Sequence, residues 1–159
     1  MIEDGFDSFF QRRFSMTVVL LVVVHGASWA DAEDAAQEAM LKAWQQWESV
    51  DEPTSWVRTV AFRAFWRQIR TRQQTVPLDE DAYEPTADVD LSIFAEEQQR
   101  VLRVLRTLPL EQRIVAALFY DGLSCEEIAE LIGKPAVTVR SNLRHARKKL
   151  RGMMISIGF

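Results

Sequence analysis

Apolar side chains recur every three or four residues along most of this chain, a spacing that predicts amphipathic helices rather than strands. The first helix is expected over residues 7–25 and is ended by Gly26. The second is expected over residues 31–47 with Asp31 as its cap, and the third over residues 53–72. The inner face expected of the second helix consists of Ala36, Met40, Ala43, Trp44 and Trp47.

The middle of the chain interrupts this pattern. Residues 73–93 contain two prolines, many acidic residues and no apolar period, so we expect them to form a flexible acidic linker. Helices resume over residues 94–107 and 109–120. The inward positions expected of these two helices are Val101, Leu102, Leu105 and Leu108, then Ile114, Val115, Leu118 and Phe119. The pattern therefore predicts an all-α chain in which two small helical bundles, residues 1–72 and 94–159, are joined by the linker.

The last third of the chain has the pattern of a helix-turn-helix. Ser124 and Glu127 have the three-residue spacing of a capping box, and Gly133 is the residue type that a sharp turn requires. A basic helix is expected over about residues 136–151. Its apolar stripe consists of Val139, Leu143, Ala146 and Leu150. Two short helices around a tight turn, the second with one apolar face, are typical of this motif.

The side of that basic helix opposite the apolar stripe carries short polar and cationic side chains. These are Ser141, Arg144 and Lys148, flanked by Arg140, Arg147 and Arg151. Such a face suits the DNA major groove, because arginine reads guanine edges and the remaining cations hold phosphates. A solvated basic surface helix is the alternative that the charge alone would favour. The capped helix and the turn that precede it favour DNA binding.

Charge is divided into blocks along the sequence, although the formal net charge is only −4. Residues 53–72 hold five arginines and no acid, and residues 134–159 hold seven lysines and arginines and no acid. Residues 73–98 hold eight acids and no base. Two cationic patches separated by an acidic segment fit a protein that touches nucleic acid twice.

The cations of the third helix share one side of it. Arg63, Arg67 and Arg70 stack there at helical spacing, with Trp56 and Trp66 beside them. Guanidinium groups neutralise phosphates and indoles stack on unpaired bases, so this side suits a single strand. The alternative is that both tryptophans complete the core and the arginines are merely solvated. The helix by itself does not decide between the two.

The sequence lacks the usual signatures of catalysis. It has no glycine-rich phosphate loop and no nucleophile paired with a base, so we expect no enzymatic activity, no cofactor and no small-molecule substrate. The single cysteine, Cys125, excludes an intrachain disulfide and fits a cytoplasmic protein. The distant His25 and His145 have no metal-ligand spacing. The apolar run over residues 18–24 is too short to span a bilayer, so we expect a buried helix there.

Two segments resemble one family, the extracytoplasmic-function sigma factors of bacterial RNA polymerase. The first, residues 31–44, reads DAEDAAQEAMLKAW and is similar to an acidic-capped helix of that family. The second, residues 107–150, resembles the family's promoter −35 domain. The resemblance implies a sigma-2-like domain over residues 1–72 for polymerase binding and −10 recognition. It also implies a sigma-4-like helix-turn-helix domain over residues 94–159 for −35 recognition.

The resemblance implies a binding surface for each partner. Core RNA polymerase would dock on the exposed side of the second helix, at Asp34, Gln37, Glu38 and Leu41. The −10 element of promoter DNA would be held as a single strand by the third helix, where the side chains described above are Trp56, Arg63, Trp66, Arg67 and Arg70. Arginine stands at 63 and 67 where relatives usually carry an asparagine and an aspartate. The −35 element would meet Arg140, Ser141, Arg144 and His145, where the family places contacts, together with Lys148 on the same polar side of the helix. An anti-sigma factor is a further partner that the resemblance implies and that no residue here identifies.

The second hypothesis is a stand-alone helix-turn-helix regulator whose N-terminal helices dimerise or sense a ligand. The two hypotheses differ in what the first domain binds, which is polymerase in one case and itself or a ligand in the other. The segment over residues 31–44 favours polymerase.

Overall fold

The structure, a computed structural model, describes residues 2–75 and 89–156, with side chains described for residues 5–73 and 89–153. All regular structure in this part of the chain is helical, which confirms the all-α prediction. Residues 73–75 of the predicted linker belong instead to the end of the third helix, which runs to Thr75, and residues 76–88 lie outside the described residues. The helices are α1 (Ile2–His25), α2 (Trp29–Gln45), α3 (Pro53–Thr75), α4 (Glu96–Arg106), α5 (Leu110–Tyr120), α6 (Cys125–Ile132) and α7 (Ala136–Ser156), with a 3₁₀ turn at Trp47–Ser49.

The chain divides into two compact units, Met1–Ile93 and Phe94–Phe159. In the first unit, α1, α2 and α3 pack against one another. The helix α2 buries a face made mainly of alanine, and these small side chains let its neighbours approach closely. The completely buried members of that face are Ala32, Ala35, Ala36, Ala39 and Ala43. The apolar run of α1 is buried against them, and no helix of the described residues is long and apolar enough to cross a membrane.

The start of α2 differs from the prediction. Its cap is Ser28, whose hydroxyl accepts a hydrogen bond from the backbone N–H of Asp31 at 3.1 Å. The expectation that Asp31 caps the helix was therefore wrong. Gly26, at a φ of 70°, ends α1 and turns the chain, so that the next helix begins at Trp29. Asp31 lies in the first turn instead, where its carboxylate is free to bond elsewhere.

Two tryptophans of the expected inner face of α2 lie elsewhere. Ala36, Met40 and Ala43 are buried as predicted, but Trp44 is 52% exposed, so its assignment to the core was wrong. It lies about 100° around the helix from Ala43, beyond the edge of the alanine face. Trp47 follows the end of the helix, in the 3₁₀ turn, and packs its ring on Phe6 and Phe9 of α1.

The second unit is built from α4 to α7. The inward positions predicted for α5 are buried or half-buried, as are Leu102, Leu105 and Leu108. Val101 is 58% exposed, so its inward assignment was wrong. Within α4 only Leu102 is fully buried, and Val101 lies beside it on the solvent side. The guanidinium of Arg113 donates to the carbonyl oxygens of Leu105 and Leu108 at 3.1 Å, which satisfies the carboxyl end of α4.

The helix-turn-helix forms as predicted. The Ser124 hydroxyl accepts from the N–H of Glu127 at 3.1 Å, and the Glu127 carboxylate accepts from the N–H of Ser124 at 3.2 Å. Gly133 then takes a left-handed conformation at a φ of 71° and ends α6. Helix α7 buries Val139, Leu143 and Ala146, and its neighbours in the packing are α5 and α6.

We expect Gly133→Ala to lower the free energy of unfolding by about 1–2 kcal/mol, because a β-carbon disfavours the left-handed conformation. The matched control is Gly152→Ala in α7, where an added β-carbon meets no atom within 4 Å. Since alanine favours a helix over glycine, this control should be neutral or stabilising by up to about 1 kcal/mol. Urea denaturation followed by circular dichroism measures both. Equal effects of the two changes would contradict the assigned turn.

An ion-paired contact joins α2 to α3. The Asp31 carboxylate accepts two hydrogen bonds from the guanidinium of Arg72, at 2.7 and 3.0 Å. The hydrogen bonds from Arg72 hold the pKa of Asp31 below its usual value, although partial burial of the carboxylate acts in the opposite direction. The pairing connects the first turn of α2 to the last turns of α3.

We expect Asp31→Asn to lower the free energy of unfolding by about 1 kcal/mol at neutral pH, the upper end for a partly exposed pair. The pKa of Asp31 is lower in the folded than in the unfolded chain, so this stabilisation is complete above the unfolded value, 3.8. It disappears as the pH falls through the lowered folded value. The stability difference between wild type and variant should therefore shrink below about pH 4. The exposed Asp51→Asn is the control, and a gap that does not depend on pH would contradict the pairing.

Candidate nucleic-acid interface

The outer side of α7 gathers the side chains that were predicted for the −35 element. Taking about 100° per residue, Ser141, Arg144 and Lys148 lie opposite the buried stripe of Val139, Leu143 and Ala146. Arg140 and His145 lie on either edge of this side. Arg140, Arg144, His145 and Lys148 are exposed, and Ser141 is half-buried. The helix therefore presents one polar, cationic face to solvent.

One cation of this face is held by the preceding helix. The guanidinium of Arg140 donates to the carboxylate of Glu126 in α6 at 3.1 Å. Both side chains are more than half exposed, so the pair contributes at most about 1 kcal/mol. A phosphate can therefore displace Glu126 at little cost. Sequence reasoning missed this contact because the two residues lie on different helices. Helical periodicity relates only residues of the same helix.

Arg147, predicted to flank the polar face, has a structural contact of its own. Its guanidinium carbon lies 4.6 Å from the ring centroid of Phe119 in α5, a cation–π geometry. The side chain is half-buried as a result. Arg147 thus joins α7 to α5 as well as adding positive charge.

The second cationic surface is on α3. Its core side is formed by Val57, Ala61, Phe62, Ala64 and Phe65, all of them buried. Arg63 and Arg67 are exposed, while Arg70 and Trp56 are half-buried. The positions predicted for the −10 element therefore share one helix but differ in access to solvent.

Trp66 is bound to the core by the edge of its ring. The indole Nε1–H donates to Nδ1 of His25 at 3.1 Å, and His25 is buried at the end of α1. The ring also packs edge-on against Phe65, with centroids 5.2 Å apart. These contacts support the structural alternative for Trp66. Its contact with DNA stays a prediction.

The arginines of α3 meet acids of α2 along the seam between the helices. Glu38 accepts hydrogen bonds from Lys42 at 3.0 Å, Arg67 at 3.2 Å and Gln68 at 3.5 Å. The hydrogen bond from Lys42, with the charges of Lys42 and Arg67, lowers the pKa of Glu38. A carboxylate with three donors keeps its charge to low pH, so Arg67 is partly neutralised where it lies.

The predicted polymerase-docking side of α2 is mostly open to solvent. Asp34 and Gln37 are exposed, and Leu41 is 55% exposed. Glu38 is half-buried by its contacts with α3. Trp44, one turn after Leu41, adds a second large apolar side chain to this side. Sequence reasoning had placed Trp44 in the core, although its spacing from Gln37 and Leu41 was the signal for this side.

Metal ligands are not clustered in the described residues. No group of three or more histidine, cysteine, aspartate and glutamate side chains there is able to hold a metal ion. Cys125 is a free, half-buried thiol in the first turn of α6.

We expect Trp66→Phe to lower the free energy of unfolding by about 1–3 kcal/mol, because it leaves the buried Nδ1 of His25 without its donor. Trp44→Phe, at an exposed position, is the control and should change stability little. Thermal and urea denaturation measure both. An unchanged stability for Trp66→Phe, together with slower promoter opening, would instead support a stacking role on DNA.

Comparisons with known proteins agree with this architecture. The family model of sigma-70 region 2 matches residues 16–75, and that of sigma-70 region 4 matches residues 98–150. The solved structure of the sigma factor RpoE with the anti-sigma factor NepR from Bartonella quintana matches with a TM-score of 0.52. That match covers 94% of this chain and 96% of the other at 21% identity, so it supports the fold alone.

Similar curated proteins are sigma factors. The ECF RNA polymerase sigma factor RpoE of Cereibacter sphaeroides is 29% identical over 161 residues, covering 96% of this chain and 87% of that protein. SigK of Mycobacterium tuberculosis is 27% identical over 134 residues, covering 77% and 72%. The probable sigma factor RfaY of Xanthomonas campestris is 28% identical over 153 residues, but the match spans only 38% of its length. With a sigma-70 region in each of its two units, the chain belongs to the sigma-70 family and is a sigma factor of the extracytoplasmic-function type.

Proposed function

We propose that this sigma factor binds core RNA polymerase through α2 and directs it to promoters with α3 on the −10 element and α7 on the −35 element. The observation that carries the proposal is the exposed cationic face of α7, which lies opposite its buried stripe in a capped helix-turn-helix. The domain roles follow: residues 1–72 for polymerase and the −10 element, residues 73–93 as an acidic linker, and residues 94–159 for the −35 element. Sigma factors are not enzymes as a family, so catalysis stays with the polymerase.

The −35 element would be read in the major groove, which is wide enough for one helix. Arg144, in the middle of the exposed face, is the candidate for a bidentate contact with guanine. Arg140 and Lys148 would hold phosphates on either side of it. Ser141 and His145 add shorter polar contacts. Giving up the Glu126 pair of Arg140 costs little, since both partners are solvated.

The −10 element would be held as a single strand along α3. Arg63 and Arg67 are exposed enough to meet phosphates, and Trp56 and Arg70 offer partly accessible surfaces. A phosphate that approaches Arg67 competes with Glu38 for the same guanidinium. Trp66 contributes through its exposed face only, because its N–H edge is bonded to His25. Base stacking contributes about 1–3 kcal/mol per base where a ring is accessible.

Core polymerase would dock on the side of α2 that carries Asp34, Gln37, Glu38 and Leu41. The exposed Leu41 and the neighbouring Trp44 supply apolar area, and the acids select a basic partner surface. An anti-sigma factor is a second candidate partner, because the RpoE of Bartonella quintana, which has a similar fold, is bound to one. We place the protein in the cytoplasm, where bacterial polymerase and promoters meet.

The stand-alone regulator is the weaker hypothesis. It requires the first unit to dimerise or to sense a ligand, whereas a sigma-70 region 2 matches most of α1 to α3. The decisive experiment adds purified protein to core polymerase and a promoter library and sequences the transcripts. Defined start sites that require the protein support the proposal. DNA binding without core, with no initiation, would support the regulator and overturn the proposal.

We expect Arg144→Ala to weaken −35 selectivity by about 1–3 kcal/mol at one base position, since a bidentate contact with a base is lost. Arg144→Lys should fail in the same way while keeping the charge, because a lysine has no planar fork. Lys148→Ala is the contrast: it should weaken binding about equally on all sequences and reduce the salt dependence. Competitive binding of holoenzyme to promoter variants measures these effects. Unchanged promoter choice in both Arg144 variants would contradict a base contact.

A further inference from the structure

Val137 is an apolar side chain left in solvent at the start of α7. It is 73% exposed, more than any other large apolar side chain that is exposed in the described residues. It lies in the first turn of the helix, directly after Ala136. Because it is exposed, this side chain contributes little to the stability of the folded chain. The sequence patterns that predicted the apolar stripe and the polar face of this helix did not include it.

The direction of Val137 follows from the helix geometry. At about 100° per residue, Val137 lies within about 40° of Ser141 and Arg144 and about 180° from the buried Ala146. It therefore extends the outer face of α7 by one turn towards the amino end. An apolar residue at this end of the polar side is open to a partner other than the core of its own unit.

The shape of valine makes this position a suitable apolar contact. A β-branched side chain in a helix has one strongly preferred rotamer, so its two methyl groups point in a fixed direction. Burying it against a ligand therefore costs little side-chain entropy. Valine has no hydrogen-bonding group, so it satisfies no donor or acceptor on a base edge.

In helix-turn-helix proteins the amino-terminal residues of the second helix contact base edges in the major groove. The apolar group displayed there is the 5-methyl of thymine. Cytosine at the same place would bury its amino group without an acceptor, which is unfavourable. We propose that Val137 is a specificity-determining residue that reads the 5-methyl group of a thymine in the −35 element.

The inference rests on the proposed function and adds a base identity to it. Arg144 lies seven residues further along α7, which is about 10 Å along the helix axis. At 3.4 Å per base step, the thymine should lie within about three base pairs of the base that Arg144 contacts. The two residues together would define two positions of one promoter element.

The experiment first selects −35 sequences from a randomised library with holoenzyme made from core polymerase and the full chain. Each thymine of the selected element is then replaced by deoxyuridine, which removes only the 5-methyl group. Holoenzyme affinity is measured for wild type, Val137→Ala and Val137→Thr. The control is Val101→Ala, another strongly exposed valine in the same unit, on α4.

At one position, deoxyuridine should weaken wild-type binding about fourfold, the factor for one buried methyl group. Val137→Ala should bind the thymine promoter more weakly and lose that fourfold difference, while differences at all other positions remain. Val137→Thr, which keeps one methyl group, should retain part of it. Val101→Ala should behave as wild type.

Three results would overturn the inference: a selected element without thymine, no effect of deoxyuridine at any position, or the same deoxyuridine effect in Val137→Ala as in wild type. Each of these can occur while the holoenzyme still initiates at defined promoters, so the proposed function would stand. If no sequence is selected and no defined transcript appears, the proposed function fails and the role of Val137 fails with it.

Discussion

The burial of one narrow apolar stripe fixes the orientation of α7, and the proposed reading of DNA depends on that orientation. Val139, Leu143 and Ala146 are buried, and Ala146 belongs to a core cluster with Leu108 and Ala116. A rotation of the helix by one residue, about 100°, would expose this stripe to water and bring arginines towards the core. Burying an unpaired charge costs far more than burying an alanine or a leucine gains. The cationic face therefore has a single allowed direction.

The first unit obeys the same constraint with a different surface. Alanine covers the buried face of α2, so the neighbouring helices come close and their polar edges meet. At that seam, acids of α2 pair with arginines of α3, as in Asp31–Arg72 and Glu38–Arg67. Of the cations proposed to hold the −10 strand, Arg67 is thus partly neutralised at rest. The exchange of a half-buried carboxylate for a phosphate on the exposed Arg67 gains little free energy, so binding at this surface depends on many weak contacts together.

The exposed apolar side chains indicate binding surfaces as much as the charged ones do. Leu41 and Trp44 lie on the outer side of α2, and Val137 lies at the head of α7. Each would be more stable against an apolar partner than in water. Charges attract DNA at a distance and without regard to sequence, whereas such contacts require a matching surface. Each unit therefore combines cations, which attract DNA, with exposed apolar side chains, which require a partner of matching shape.

Sequence periodicity determined the helices, the capping box at Ser124, the turn at Gly133 and the polar side of α7, because each of these is local to one helix or one turn. The motif over residues 31–44 also pointed to the family. Only the tertiary structure decided the neighbours: Ser28 rather than Asp31 caps α2, Trp44 faces outward, Trp66 bonds to His25, and Arg140 bonds to Glu126. The last two partners lie 41 and 14 residues apart in sequence. A helical period reports which residues share a face, but the partner of that face is set by how the helices pack.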